Sequence, residues 1–387
     1  MFFSFKTRFL KFVVAFLTVI LIPFLFPIDV FAKVEMNIAA PSAILVEATS
    51  GKVLYEKNPK EIRSCASITK VMTLLLVMEA LDSGKISLAE NVTASEHASS
   101  MGGSDIWLEV GESMTVHELI KAVVVASAND AAVALAEHIS GSEDIFVSQM
   151  NKRASELSMS DTVFKNCNGL DEEGHVTSAY DIAIMSRELI KHKLIFDYSS
   201  IWIDYLRDGK TQLVNTNKLL KTYRGITGLK TGTTSGAGCC ISATAQRDKL
   251  SLIAVVLGDK TAKERFSDAS MLLDYGFANY TMLTPVVEDN LLTPVKVCNG
   301  MNPFVNVKFE KFGDVLIPKG QEKNVTNSIE IADEVRAPVE TGQVLGKLIY
   351  KVEDEVLVEY KIVADEPVDE INFELAIKKF LKSILAI

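Results

Sequence analysis

At 387 residues the chain exceeds one average domain and predicts two. Its formal charge of -10 argues against nucleic acid as a partner. It has no zinc-type Cys/His spacing and no phosphate-cradling glycine loop, which removes the commonest metal and nucleotide readings.

The first segment reads as a signal peptide over residues 1–32. Lys6, Arg8 and Lys11 form a basic n-region, Phe12 to Phe26 an apolar h-region, and Val30-Phe31-Ala32 a small-residue cleavage site. A retained membrane anchor is the alternative, although the run is short for a span and Pro23 and Pro27 break its end. Both readings export the chain. Removal of the segment takes away three cations and Asp29, leaving a charge of about -12. The five cysteines are an odd number for an exported chain, and adjacent Cys239 and Cys240 would point to opposite faces of a strand. They are read as small core residues, not as a disulfide framework.

The mature chain opens with a predicted hairpin, Ala43-Ile44-Leu45-Val46 and Lys52-Val53-Leu54-Tyr55 about a turn at Thr49-Ser50-Gly51. Next, Ser64-Cys65-Ala66-Ser67-Ile68-Thr69-Lys70 leads into the apolar run Val71 to Met78, predicting the N-terminus of a buried helix that ends near Asp82-Ser83-Gly84. On that helix Ser67 and Lys70 are three residues apart and share a face, at the positive end of the dipole. A lysine there can deprotonate a serine only if it is neutral, and burial favours the neutral form. The bland alternative is a helix cap beside a solvated lysine.

Residues 85–113 are polar and glycine-rich and should line a cleft. Thr115-Val116-His117-Glu118 is a capping box that opens another helix. That helix stops at Ser127-Ala128-Asn129-Asp130, and the next is expected from Ala131, so Ser127 and Asn129 either face the cleft or cap the second helix. More helices are expected over 145–196, joined through Asn166-Cys167-Asn168-Gly169. Lys230-Thr231-Gly232 should lie on a strand beside a hairpin formed by Cys239–Ala245 and Leu250–Leu257. Gly232 would let a ligand backbone approach that strand closely.

Near Tyr275-Gly276-Phe277 the character changes. The runs Val295-Lys296-Val297, Phe304 to Val307 and Leu348 to Val352 predict a small all-β domain over 283–365, after a domain over 33–280. The chain closes on an amphipathic helix over 368–387. Phe373, Ile377, Phe380, Leu381, Ile384 and Leu385 share one face, with Lys378, Lys379 and Lys382 opposite. It either anchors the protein on a membrane surface or packs on the β domain.

Three motifs thus stand in order, Ser67-x-x-Lys70, Ser127-x-Asn129 and Lys230-Thr231-Gly232. With them, the stretches Ala43–Tyr55, Asn129–Glu137, Gly225–Gly238 and Leu252–Gly258 make the chain resemble the serine-type D-alanyl-D-alanine carboxypeptidases, the low-molecular-mass penicillin-binding proteins. The resemblance spans nearly all of the mature chain. It implies an α+β fold: a β-lactamase/transpeptidase-like domain of antiparallel sheet and helices, then the all-β domain and the amphipathic helix. It also implies peptidoglycan stem peptides and β-lactams as partners, and no metal or organic cofactor.

In that resemblance Ser67 is the nucleophile and Lys70 its general base, held neutral by burial and by the cation of Lys230. Ser127 relays a proton to the leaving amine, and Asn129 holds Lys70 and the substrate amide. Lys230, Thr231 and Thr233 bind the terminal carboxylate, and the N–H groups of Ser67 and Thr233 form the oxyanion hole. Several positions depart from the family pattern. Ala128 stands where many relatives carry Gly, Thr233 where some carry His, and Thr216 where some carry Arg. Arg265 falls where the family can place a cation near the cleft, and Cys65 neighbours the nucleophile. A class A β-lactamase fits less well, because Ala128 occupies the aspartate position of its middle motif and no equivalent deacylating glutamate is found. A crosslink-cutting endopeptidase stays open, and a non-catalytic wall-binding protein would not need both Ser67 and Lys70.

Overall fold

The computed structural model describes residues 36–285, 292–311 and 313–385. The segment read as a signal peptide lies outside the described residues. So do the side chains expected on the last helix at Lys379, Lys382, Ile384 and Leu385.

The first domain is built on a five-stranded antiparallel sheet. Its strands are β1 (Ser42–Glu47), β2 (Val53–Lys57), β3 (Ile226–Thr234), β4 (Gly238–Arg247) and β5 (Leu250–Asp259), in the order β2-β1-β5-β4-β3. Strands β1 and β5 read as unbroken apolar runs because both faces of the sheet are covered. Ile253, Val255 and Leu257 of β5 join Ile44 and Val46 of β1 in the core shared with the helices on one side. Leu252 and Leu45 point the other way, against the helix Ala262–Asn279, where a Cβ on Gly276 would lie 2.5 Å from Leu252 Cδ1. Only a glycine lets that helix sit so near the sheet. Sequence reading had not anticipated this helix, although its capping box, Thr261 with Glu264, is a legible start signal.

The helical side is organised about α1 (Lys70–Asp82), whose residues are buried almost all round. A helix that is apolar on every side belongs inside. Around it stand α2 (Val116–Lys121), α3 (Asn129–Ser140) and α4 (Ala179–Leu189). Two predicted boundaries shift. The residues Ala66–Thr69 form a 3₁₀ turn, so Ser67 precedes the α-helix instead of lying on it. Helix α3 begins at Asn129, not Ala131.

The second domain is all-β, as expected. Val307–Phe309, Glu355–Ala364, Val344–Val352 and Val325–Ile331 form one sheet, and Phe304–Val305, Val295–Cys298 and Glu334–Arg336 a second. Tyr280–Leu283, which follows the long helix directly, pairs with Val315–Pro318 and carries the chain into this domain. A final helix spans Phe373–Leu385. Phe373, Ile377, Phe380 and Leu381 are exposed on it, so these positions do not pack on the β domain. Among the described residues, no helix is long and apolar enough to cross a membrane.

All five cysteines are free; Cys65, Cys167, Cys239 and Cys240 are buried and Cys298 is half-buried. Burial pushes the Cys65 thiol up to about 11, which makes it an unreactive neighbour of Ser67.

Gly169 joins the helical side to the 3₁₀ turn. Its φ is +84°, and a Cβ there would lie 2.1 Å from the Ala66 carbonyl oxygen. Replacement Gly169→Ala therefore combines backbone strain with a clash against backbone, and should destabilise the first domain by about 1–3 kcal/mol or more. A denaturant midpoint indistinguishable from wild type would contradict this.

Candidate active site

Ser67 is half-buried at the mouth of the cleft, on the 3₁₀ turn that α1 continues. The first residue of α1, Lys70, is fully buried, and its Nζ lies 3.1 Å from Ser67 Oγ. The amine also donates to Asn129 Oδ1 at 2.5 Å and to the Asn168 carbonyl at 2.6 Å. Both partners accept only: Asn129 Nδ2 is committed to donating to the Gly102 carbonyl at 2.6 Å. A neutral amine has two N–H groups and one lone pair. With two N–H groups directed at fixed acceptors, the lone pair faces the Ser67 hydroxyl.

Burial lowers the Lys70 amine to about 7, against the opposing pull of Asp105 and Asp130. Lys230, also fully buried on β3, is held well below the usual lysine range by burial, then by repulsion from Lys70 and Arg265. Burial, more than the Lys230 cation, thus accounts for a neutral Lys70. Of the two causes expected, burial and the Lys230 cation, burial is the one that lowers the amine here.

Ser127 and Asn129 do not cap α3, whose N-cap Ala128 makes no side-chain cap. After α2 the chain widens into a π-helical turn, Ala122–Ala126, and Ser127 follows with φ 62° in the left-handed region. Such widened turns recur at functional sites because they re-aim side chains. Here the turn directs Ser127 Oγ to within 2.9 Å of Lys230 Nζ. Ala128 is fully buried, so the methyl that stands in place of glycine packs into the core.

Lys230, Thr231, Gly232 and Thr233 follow one another on β3, as predicted. Lys230 also donates to the Thr231 carbonyl at 2.8 Å, and Thr231 Oγ1 donates to Thr216 Oγ1 at 2.6 Å. Gly232 is also required by the fold itself. A Cβ there would meet the Cys65 carbonyl oxygen at 2.8 Å and the Ser67 nitrogen at 2.9 Å. That close approach is to the chain's own turn bearing Ser67. Thr233 is exposed beyond it. Arg265 is buried under the strand, donating from one nitrogen to the Gly232 carbonyl (3.1 Å), Thr233 Oγ1 (3.0 Å) and the Cys240 carbonyl (3.3 Å). It supports the strand from beneath and bonds directly to Thr233, one of the residues expected to bind substrate.

Sequence reading missed several supports. The Asn168 carbonyl was legible only as part of a loop. The buried Asp130 accepts from the N–H groups of Ile106 (3.1 Å), Leu108 (3.0 Å) and Ala131 (2.8 Å), tying the segment after Gly102 to the start of α3. Under the turn bearing Ser67, His175 Nδ1 accepts from Lys165 N–H at 3.2 Å, so Nε2 carries the proton and donates to Thr69 Oγ1 at 2.7 Å. Burial lowers this imidazole to about 4 and keeps it neutral. Asp171 ties the same loop to the tip of β3 by accepting from Thr234 Oγ1 at 2.7 Å.

A half-buried serine facing a neutral buried lysine, with a second serine–lysine pair alongside, defines a serine acyl-transferring site. Residues 29–261 match the D-alanyl-D-alanine carboxypeptidase family, and residues 280–370 match the C-terminal domain of penicillin-binding protein 5. D-alanyl-D-alanine carboxypeptidase DacF of Bacillus subtilis (strain 168) is 45% identical over 349 residues, covering 89% of this chain and 90% of the relative. Penicillin-binding protein 5 from Haemophilus influenzae superposes with a TM-score of 0.79 at 32% identity, over 87% of this chain and 99% of that one. Penicillin-binding protein D2 from Listeria monocytogenes, solved in its ampicillin-bound form, gives a TM-score of 0.58 at 32% identity, over 62% and 99%. The chain belongs to the D-alanyl-D-alanine carboxypeptidase family of penicillin-binding proteins.

The lowered Lys70 amine sets a pH dependence. Above about 7 the amine is neutral and can accept the Ser67 proton; below it the ammonium cannot. Acylation of Ser67 should rise as pH increases through about 7. Stopped-flow acylation rates that stay flat from pH 5 to 9, at unchanged folding, would contradict this assignment.

Proposed function

We propose that the protein is an exported serine D-Ala-D-Ala carboxypeptidase, removing the terminal D-alanine from peptidoglycan stem pentapeptides through an acyl-enzyme on Ser67. The observation that carries the reading is the 3.1 Å approach of Lys70 Nζ to Ser67 Oγ, with the other two directions of the amine held by acceptors. Family membership supplies the substrate class.

The carbonyl between the two D-alanines lies against the N–H groups of Ser67 and Thr233, which stabilise the oxyanion. Lys70 takes the Ser67 proton as Oγ bonds to the carbonyl carbon. The tetrahedral intermediate collapses by breaking the C–N bond, and Ser127 passes the proton to the departing amine. Water then attacks the ester, releasing the shortened stem and restoring the Ser67 hydroxyl. Lys230, with the hydroxyls of Thr231 and Thr233, binds the terminal carboxylate. An arriving anion favours the charged form of Lys230, offsetting the burial that depresses it in the free site. With Thr216 in place of an arginine, carboxylate binding rests on this one cation and its neighbouring hydroxyls.

A penicillin mimics the D-Ala-D-Ala carbonyl and carboxylate, so intact mass tests the site directly. One drug adduct per chain is expected on wild type and none on Ser67→Ala, while Lys70→Ala should slow adduct formation by about 10²–10⁴-fold. No adduct with the drug left intact would remove the catalytic reading. No adduct with the drug hydrolysed would favour a β-lactamase.

The exposed Phe373, Ile377, Phe380 and Leu381 support peripheral attachment of the last helix to a membrane surface. Deleting residues 374–387 should release the mature protein from membranes in a sedimentation assay without changing turnover of soluble peptides. Continued sedimentation of the truncated chain would point instead to the N-terminal segment.

A further inference from the structure

Trp107 is 80% exposed, between the buried Ile106 and Leu108. Its φ of 56° lies in the left-handed region, unusual for a bulky side chain and adopted only where surrounding groups enforce it. Here they do. Asp130 accepts from the N–H groups on either side of Trp107, and Arg207 donates to the carbonyls of Ile106 at 2.9 Å and Trp107 at 3.4 Å. Arg207 is itself fixed by two bonds to Glu112, at 2.6 and 2.9 Å. The indole is held out into water by bonds to its own backbone and its neighbours'.

Arg207 belongs to the turn of a hairpin, Ile203–Leu206 with Thr211–Val214. The outward face of that hairpin carries exposed Ile203, Tyr205 and Val214, and Gln212 Nε2 donates to the Tyr205 hydroxyl at 2.9 Å. Lys121 pins the strand by donating to the Tyr205 carbonyl at 3.2 Å and pairing with Asp204 at 3.1 Å. Two aromatic side chains therefore stand exposed on two segments that Arg207 bonds together.

Each segment adjoins the site at one end. The first leaves Gly102, whose carbonyl receives the Asn129 amide. The second runs on from Val214 through Asn215 to Thr216, the partner of Thr231. The surroundings are acidic: Asp105, Glu109, Glu112, Asp204 and Asp208 against Lys121, Arg207 and Lys210, of which Lys121 and Arg207 are ion-paired. That balance disfavours an anionic membrane or an anionic polymer. It suits a neutral ligand with an apolar ring face to lie on the negative face of an aromatic ring and hydroxyls to bond with amide and carboxylate groups.

We propose that Trp107 and Tyr205 form a platform for the sugar backbone of peptidoglycan, holding the glycan strand while its stem peptide enters the cleft. The proposal rests on the carboxypeptidase reading for the identity of the sugar. It makes the enzyme selective for stem peptides attached to glycan over free ones.

The test uses the full mature chain carrying Ser67→Ala for binding and the chain with Ser67 for turnover. The probes are glycan strands stripped of peptide, with the lactyl carboxylates that stripping exposes capped as neutral methylamides, glycan-linked pentapeptide, and a short acyl-D-Ala-D-Ala peptide. Trp107→Ala and Tyr205→Ala should each weaken retention on stripped glycan about tenfold, and kcat/KM on glycan-linked pentapeptide by a similar factor. Turnover of the short peptide should stay at the wild-type level, and Trp107→Phe, which keeps a ring, should restore most of the loss. Absence of binding to stripped glycan by the parent protein would overturn the proposal. So would an equal loss on the short peptide, or binding to anionic vesicles that depends on Trp107. If no peptide is hydrolysed at all, the carboxypeptidase reading fails, while retention on stripped glycan still decides the platform by itself.

Discussion

A lysine amine enclosed where water cannot reach it is the constraint on which the site depends. Helix α1 is apolar on all sides, so the fold buries it, and Lys70 at its first position is buried with it. An isolated ammonium there would carry a desolvation cost far larger than any single hydrogen bond returns. The structure relieves that cost by favouring the neutral amine and giving each N–H a fixed acceptor. What remains is a lone pair directed at Ser67. Burial makes the amine neutral, and the remaining groups hold it in register.

Each acceptor arrives by a different physical route. The π-helical turn after α2 re-aims the chain so that Ser127 reaches Lys230, and Asn129 then opens α3 with its amide facing Lys70. The Asn168 carbonyl comes from a loop pressed onto the turn bearing Ser67, with Gly169 where a methyl would strike the Ala66 carbonyl. On the opposite side Gly232 brings β3 equally near. The turn bearing Ser67 is thus held between two glycines on separate elements, which fixes the hydroxyl without any bond to its side chain beyond Lys70. Arg265 beneath β3 and the neutral His175 beneath the turn complete the support.

Away from this rigid centre, two of the regions that leave apolar groups exposed bear on what the protein meets. The last helix exposes Phe373, Ile377, Phe380 and Leu381, and the rim near Gly102 exposes Trp107. The membrane contact proposed for the last helix and the glycan contact proposed for the rim differ in charge, since the acidic rim selects against an anionic surface.

The amino-acid sequence by itself determined the order of elements, the three motifs and their local settings. Ser67 and Lys70 must share a face because three residues of helical or 3₁₀ winding stack them, and Lys230 to Thr233 must share a strand because β-branched residues and a following hairpin favour extension. These are short-range consequences of spacing and propensity. The long helix Ala262–Asn279 went unread although its capping box was present, since its apolar positions make sense only against Leu45 and Leu252 of the sheet. Whether Ser127 and Asn129 would cap α3 or face the cleft, that Gly232 would meet the turn bearing Ser67, and that Arg265 would lie under β3 were decided only in three dimensions. Each depends on a partner 25 or more residues away, and the free energy of such contacts comes from burial and close packing that exist only once the chain has folded.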